Sequence, residues 1–277
     1  MRVEKIGIVS RFDNQEALDM VKNIMEAFED KVDIVLSPGT AQHLDIDDKC
    51  MPVEDMRDAG VELIVSVGGD GTVLRSISKM EDPLPTLGIN LGTLGFLVDV
   101  QPEDALTAIN DVLKGFTYTE RSRLGVYLNG RALLPATNEV VLITARPAKI
   151  LTFRVSVDDS MIEELRADGV VFATPTGSTA YAMSAGGPIV DPRVDASLIV
   201  PLAPFKLSAR PWVVPASSRI SVEMLIPEKE AAIVIDGQHS YNIKASDRVV
   251  LTKAQNPARF VSSSINGFYE KVQSKLS

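Results

Sequence analysis

Residues 63–75 read LIVSVGGDGTVLR: an apolar run that stops at two glycines, an aspartate, a third glycine and a threonine. An apolar stretch of this length bounded by glycine has the pattern of a buried strand, and the TVLRSISKM that follows is helix-like. Strand, glycine turn and helix in that order open a parallel α/β unit, and such folds place ligands at the carboxyl ends of their strands. The glycines let backbone approach a phosphate closely, and the helix N-terminus offers free N–H groups. Asp70 cannot be part of such a cradle, because like charges repel. An acid beside a phosphate makes sense if it removes a proton from an attacking hydroxyl or helps position a metal. The plainer alternative is a glycine-rich turn with an aspartate cap. The spacing is neither a Walker loop nor the dinucleotide fingerprint, since position 74 is leucine where a further spaced glycine is required.

Outward from this stretch, strand and helix signals alternate over the first ~110 residues. Residues 5–10, 32–36, 61–67 and 86–90 have strand patterns, and Ala17, Leu18, Val21, Ile24, Met25 and Phe28 form one apolar helical face. PEDALTAINDVLKG (102–115) carries an N-terminal proline, early acids and a terminal glycine, which are helix boundaries. This alternation implies a parallel sheet covered on both faces. After Gly115 the texture changes to short β-branched runs, LGVYL, EVVLIT, LTFRVSV, GVVFAT, RISVEML and AAIVIDG, separated by turn residues. That is the pattern of an all-β domain built from packed sheets. The expected architecture is an α/β domain over 1–115 carrying the GGDGT loop, a β-rich, sandwich-like substrate-binding domain over 116–264, and a C-terminal helix over 265–277 that returns to the first domain.

Bulk properties narrow the function. The chain has 277 residues, long enough for two domains with their own cores. A formal charge of −9, without a long Lys/Arg run, argues against wrapping nucleic acid, whose binding depends on phosphate neutralisation. No segment approaches the ~20 apolar residues of a membrane helix. The N-terminus runs straight into a strand pattern without a separate apolar region and cleavage site, so a cytosolic protein is expected. Cys50 is the only cysteine, which leaves no intrachain disulfide and no cysteine metal cage; it reads as a small buried hydrophobe.

Two further segments carry candidate chemistry. DGVVFATPTGSTAYAMSAGGPIVDP (168–192) begins as a strand, turns at Pro175 and then offers Thr176, Gly177, Ser178 and Thr179 before a short helix. Clustered hydroxyls and exposed amides suit a ribose, an amide or a phosphate. The segment lacks Gly-x-Ser-x-Gly, and with only His43 and His239 in the chain a serine triad is not supported. In ATNEVVL (136–142), Asn138 and Glu139 stand side by side at the start of a strand, where an amide and a carboxylate can hold a ribose diol or a base edge. Taken alone, that pair reads more readily as a polar edge-strand feature.

Together, GGDGT (68–72), GTLGFL (92–97), TNEVVL (137–142), DGVVFATPTGSTAYAMSAGGPIV (168–190), LSARPWVV (207–214), DGQ (236–238) and FYEKVQSKL (268–276) resemble the NAD kinase family. GGDGT is shared with lipid kinases, whereas the TPTGSTAY–SAGGP segment is far more particular. The resemblance implies phosphorylation of the 2′-hydroxyl of the adenosine ribose of NAD, giving NADP. It makes Asp70 the general base and sets Gly71 against the dinucleotide. Arg75 matches a basic ligand position, and Phe96 matches an aromatic lining the substrate pocket. Asn138 and Glu139 match groups on substrate hydroxyls or the adenine edge, and Lys149, Arg166 and Asp168 match further substrate contacts. Ser178, Thr179, Ala180, Tyr181, Ala182, Met183 and Ser184, with Gln238, complete the implied pocket. The resemblance also implies ATP or polyphosphate as donor, and Mg²⁺ held largely by the donor's phosphates. It implies a homodimer or homotetramer whose sites can borrow residues across a subunit boundary, with neither nucleic acid nor membrane as partner. The rival readings are a lipid or sugar kinase built on the same glycine–aspartate loop, and a catalytically silent NAD(P)-sensing module.

Overall fold

The structure is a computed structural model that describes residues 2–92, 95–146, 149–261 and 267–276. The chain divides into two compact units, residues 1–120 together with 258–277, and residues 121–257.

The first unit is built on a six-stranded sheet in the order Asp33–Leu36, Lys5–Ser10, Leu63–Gly68, Thr86–Asn90, Ala258–Val261 and Tyr118–Arg121. The first five pair in parallel. The side-chain period of two decides which face each residue serves. Leu63, Val65 and Val67 face the helices Gln15–Phe28 and Ala105–Lys114, whose Val21, Ile24, Ile109 and Val112 complete that core. Ile64 points the other way, onto Val53, Met56 and Leu84. Strand Leu63–Gly68 is therefore buried along its whole length, which is why its sequence is apolar but for Ser66.

The second unit is a sandwich of two six-stranded antiparallel sheets. One runs Ser160–Ala167, Leu151–Val157, Ile220–Met224, Arg248–Lys253, Leu124–Leu128 and Arg131–Ala132. The other runs Trp212–Pro215, Ala196–Leu202, Gly169–Ala173, Glu139–Thr144, Glu230–Ile235 and His239–Lys244. Phe153 and Val222 of one sheet meet Phe172 and Ile233 of the other in the shared core. On the outer face of the second sheet, Val171, Ala173, Leu198 and Val200 pack against Ala182. Gly169–Ala173 is thus covered on both faces, and at Gly169 a Cβ would strike the backbone carbonyl of Leu142 in the next strand.

Three details differ from the sequence-based expectation. Strand Ala258–Val261, expected in the second domain, pairs with Thr86–Asn90 in the first sheet, where Phe260 is buried with Val73, Leu74 and Ile77. Tyr118–Arg121 likewise closes the first sheet. Cys50 is exposed rather than buried, because its backbone bridges to Leu36 outside the edge strand Asp33–Leu36 and turns the thiol outward. The expected boundary between residues 264 and 265 lies outside the described residues.

Candidate functional site

The first cluster sits where strand Leu63–Gly68 hands over to helix Asp70–Ser78. Gly68 has φ +153°, and a Cβ there would collide with the Thr72 hydroxyl, so the turn requires glycine. Asp70 is the first helical residue, and its carboxylate is taken by two backbone amides of another loop. Phe96 N–H donates to Oδ2 at 2.7 Å, and Leu97 N–H donates to Oδ1 at 2.9 Å. Gly95 makes this possible, because a Cβ at residue 95 would overlap the Asp70 carboxylate. Gly71 is exposed at the helix start. Arg75, one turn along, lies over the Phe12 ring at 5.1 Å and donates to the Ser10 carbonyl at 3.4 Å. The sequence-predicted Asp70, Gly71, Arg75 and Phe96 therefore all lie at the carboxyl end of the first sheet, together with the unpredicted Gly95 and Phe12.

The second cluster is at one end of the second sheet of the sandwich, where strand Glu139–Thr144 begins and Gly169–Ala173 and Glu230–Ile235 end. Asp236 follows the last of these in a left-handed conformation, φ 48°. Its buried carboxylate accepts from the amides of Thr137 (2.7 Å), Asn138 (2.8 Å) and Glu139 (3.0 Å). Thr174 holds the same segment from the other side, its hydroxyl donating to the Thr137 carbonyl at 2.6 Å. Gly177 lies so close to the Asn138 backbone that no Cβ fits. With the backbone thus fixed, three buried side-chain oxygens, Thr137 Oγ1, Asn138 Oδ1 and Glu139 Oε2, are left without a protein partner. Unmatched buried acceptors are costly, and their clustering marks a place for a ligand's donors.

Electrostatics sharpen this. Burial, with the negative Asp236 behind it, pushes Glu139 up to about 7 against a backbone hydrogen bond from Tyr181. Asp236 is also raised by burial, despite its three N–H donors and the charge of buried Arg123.

The remaining predicted residues divide. Thr179, Ala180, Tyr181, Met183 and Ser184 follow Gly177 along this end, with Tyr181 and Ser184 exposed. Ser178 is fully buried and its hydroxyl is engaged with the Val190 backbone in both directions, so it ties the loop together. Ala182 is buried in the outer apolar cluster. Gln238 lies in the turn that follows Asp236, its N–H donating to the Ile235 carbonyl at 2.9 Å. Lys149, Arg166 and Asp168 are not part of this cluster. The Asp168 carbonyl accepts from Thr144 N–H, at the far end of the strand that Glu139 begins. That strand is ~20 Å long for its six residues. Arg166 is exposed beside Phe205 at 4.8 Å, and Lys149 is exposed in the loop beyond Thr144.

Comparison with known proteins gives a consistent result. Residues 6–117 match the family model of the ATP-NAD kinase N-terminal domain, and 137–263 that of the ATP-NAD kinase C-terminal domain. The chain is 62% identical to the NAD kinase of Methanosarcina acetivorans over 277 residues, covering all of both chains. The chain belongs to the NAD kinase family. It is also 48% identical to the NAD kinase of Methanothermobacter thermautotrophicus, over 98% of this chain and 96% of that one. Among solved structures, an NAD kinase from Archaeoglobus fulgidus in complex with ATP is similar at TM-score 0.82 and 30% identity, over 98% of this chain and 99% of that one. Yeast NADH kinase complexed with NADH shares the fold at TM-score 0.89 and 24% identity, over 99% and 88% of the two chains.

Within this NAD kinase scaffold, sequence reasoning missed Asp236, Gly95 and Thr174 as supports of the site. Asp236–Gly237 is a hairpin-turn signature, but only the fold brings that turn against residues 137–139.

The raised Glu139 has a measurable consequence. Between pH 4.5 and about 7 the unfolded chain releases this proton while the folded chain keeps it. Stability therefore falls as pH rises through that window and levels off above it. The component is about 3 kcal/mol. Denaturant midpoints of Glu139→Gln measured across the window are expected to fall less steeply with pH than those of the native protein.

Proposed function

We propose that the chain transfers the terminal phosphoryl group of ATP or polyphosphate to the 2′-hydroxyl of the adenosine ribose of NAD, producing NADP, with Asp70 as general base. The observation that carries this is the placement of Asp70: a half-buried carboxylate at a helix N-terminus, beside a glycine turn, held by two amides. Each of its oxygens accepts one N–H and keeps a second acceptor site, so the group is oriented without being consumed. Asp70 takes the proton of the ribose hydroxyl as that oxygen attacks the terminal phosphorus, and the bond to the donor's bridging oxygen breaks. The glycines and the helix N-terminus meet the donor's phosphates, and Arg75 offsets their charge.

The unpartnered oxygens of Asn138 and Glu139 accept from substrate hydroxyls or the adenine edge. Mg²⁺ carried by the donor's phosphates needs only one or two protein carboxylates, or none, so no dedicated cage of protein ligands is required. When bound, such an ion supplies charge neutralisation to the transferring group. Phosphoryl transfer demands little beyond this positioning and charge stabilisation, and the binding groups supply the first.

Asp168 lies at the opposite end of its sheet from Glu139, Arg166 stands on a strand of the other sheet and Lys149 in the loop beyond Thr144, and we assign all three to the site of an adjacent copy in a homo-oligomer. Among the described residues no helix is long and apolar enough to cross a membrane.

Two experiments test these roles. With NAD, ATP and Mg²⁺ coupled to an NADP-specific dehydrogenase, Asp70→Asn is expected to keep NAD binding and lose on the order of 10²–10⁴ in kcat. Native-like turnover would remove Asp70 from the mechanism, and NADP binding without turnover by the native chain would point to a sensor. In mixed oligomers, inactive Glu139→Gln and Asp168→Asn subunits are expected to restore part of each other's activity. Failure to do so would place both residues in one subunit's site.

A further inference from the structure

We propose that Lys271, on the C-terminal helix Phe268–Leu276, is a positioning residue for Asp70, acting through the single peptide group that joins Phe96 to Leu97. This rests on the reading of Asp70 as general base. The N–H of that peptide is the Leu97 amide, which donates to Asp70 Oδ1 at 2.9 Å. Its C=O is the Phe96 carbonyl, which accepts from Lys271 Nζ at 3.5 Å. One peptide group is therefore gripped at both ends, by an ammonium on its oxygen and a carboxylate on its hydrogen. Hydrogen bonds in such a chain polarise one another: a cation on the carbonyl makes the N–H a stronger donor. Lys271 is fixed in turn by an ion pair with Asp99, two residues beyond Leu97 in the same loop. Both side chains are largely buried, 15% and 19% exposed, so their charges act with little screening by water.

The rest of the helix supports the same loop. Lys275 lies over the Phe96 ring with its ammonium 4.4 Å from the centroid. Phe96 is thus held by its amide on Asp70, by its carbonyl on Lys271 and by its ring under Lys275. Burial lowers the Lys271 pKa, Asp70's negative charge works against that, and Lys275 adds to the lowering. Lys271 and Asp70 therefore sense each other electrostatically as well as through the peptide. The helix could still serve merely as an anchor that stabilises the first domain, and kinetics separate the two roles.

The test is a double-mutant cycle on the full chain, with NAD, ATP and Mg²⁺ as substrates and the melting temperature followed for every variant. Lys271→Met keeps the length and apolar stem of the side chain and removes its charge. It is expected to lower kcat about 3- to 10-fold, the worth of an ordinary hydrogen bond, with KM values changed less than about threefold. Lys271→Arg is expected to recover most of that loss. Added to Asp70→Asn, Lys271→Met is expected to cost less than about twofold more, because its effect travels through the missing carboxylate. An unchanged kcat in Lys271→Met overturns the proposal. So does a full further loss in the Asp70→Asn background, or a loss that tracks the melting temperature and is not recovered by arginine. Native-like turnover in Asp70→Asn alone overturns the base assignment itself, and is read from a different variant.

Discussion

Two backbone amides, those of Phe96 and Leu97, converge on the Asp70 carboxylate, and much of the first domain follows from that convergence. The glycine turn must put Asp70 at the very start of its helix, which requires the positive φ of Gly68. The approaching loop must come within hydrogen-bond distance of the carboxylate, which requires the missing Cβ of Gly95. Both segments leave neighbouring parallel strands at their carboxyl ends, where Gly68 pairs with Asn90. The sheet thereby sets two loops side by side, and the carboxylate joins them. A carboxylate that accepts two N–H groups has one orientation, which is what a base must have before substrate arrives.

The second domain uses the same chemistry for a different end. Asp236 also gathers backbone amides, three of them, but it is buried, so its carboxylate organises the chain and is not available to substrate. Its effect is indirect. It satisfies the amides of residues 137–139, and the side-chain oxygens Thr137 Oγ1, Asn138 Oδ1 and Glu139 Oε2 are the unmatched groups of that segment. The two aspartates differ chiefly in exposure: Asp70 is half-buried, whereas Asp236 is buried.

Much of this was legible in the chain. The parallel strands announce themselves because both faces are covered and nearly every residue is apolar, as in LIVSV, where Ser66 alone is polar. The glycine–aspartate turn and the Asn138–Glu139 pair are local patterns with local causes. What escaped is of two kinds. Strand Ser160–Ala167 has a half-polar sequence without regular alternation, because it is a sheet edge with half its residues facing water, and the left-handed Asp158–Asp159 turn precedes it. Other features depend on distant pairing: Ala258–Val261 returns to a sheet begun more than 150 residues earlier, and Asp236 meets residues about 100 positions away. The separation of Arg166 and Asp168 from Glu139 likewise comes from strand direction, which residue type does not encode.

The account stands most directly on the Asp70 carboxylate holding residues 96 and 97. Amide hydrogen exchange followed residue by residue by NMR measures that hold in the protein without substrate. The Phe96 and Leu97 amides are expected to be protected in the native chain and to exchange much faster in Asp70→Ala, while the amides of strand Leu63–Gly68 keep their protection. Equal exchange of Phe96 and Leu97 in the two proteins would contradict the account.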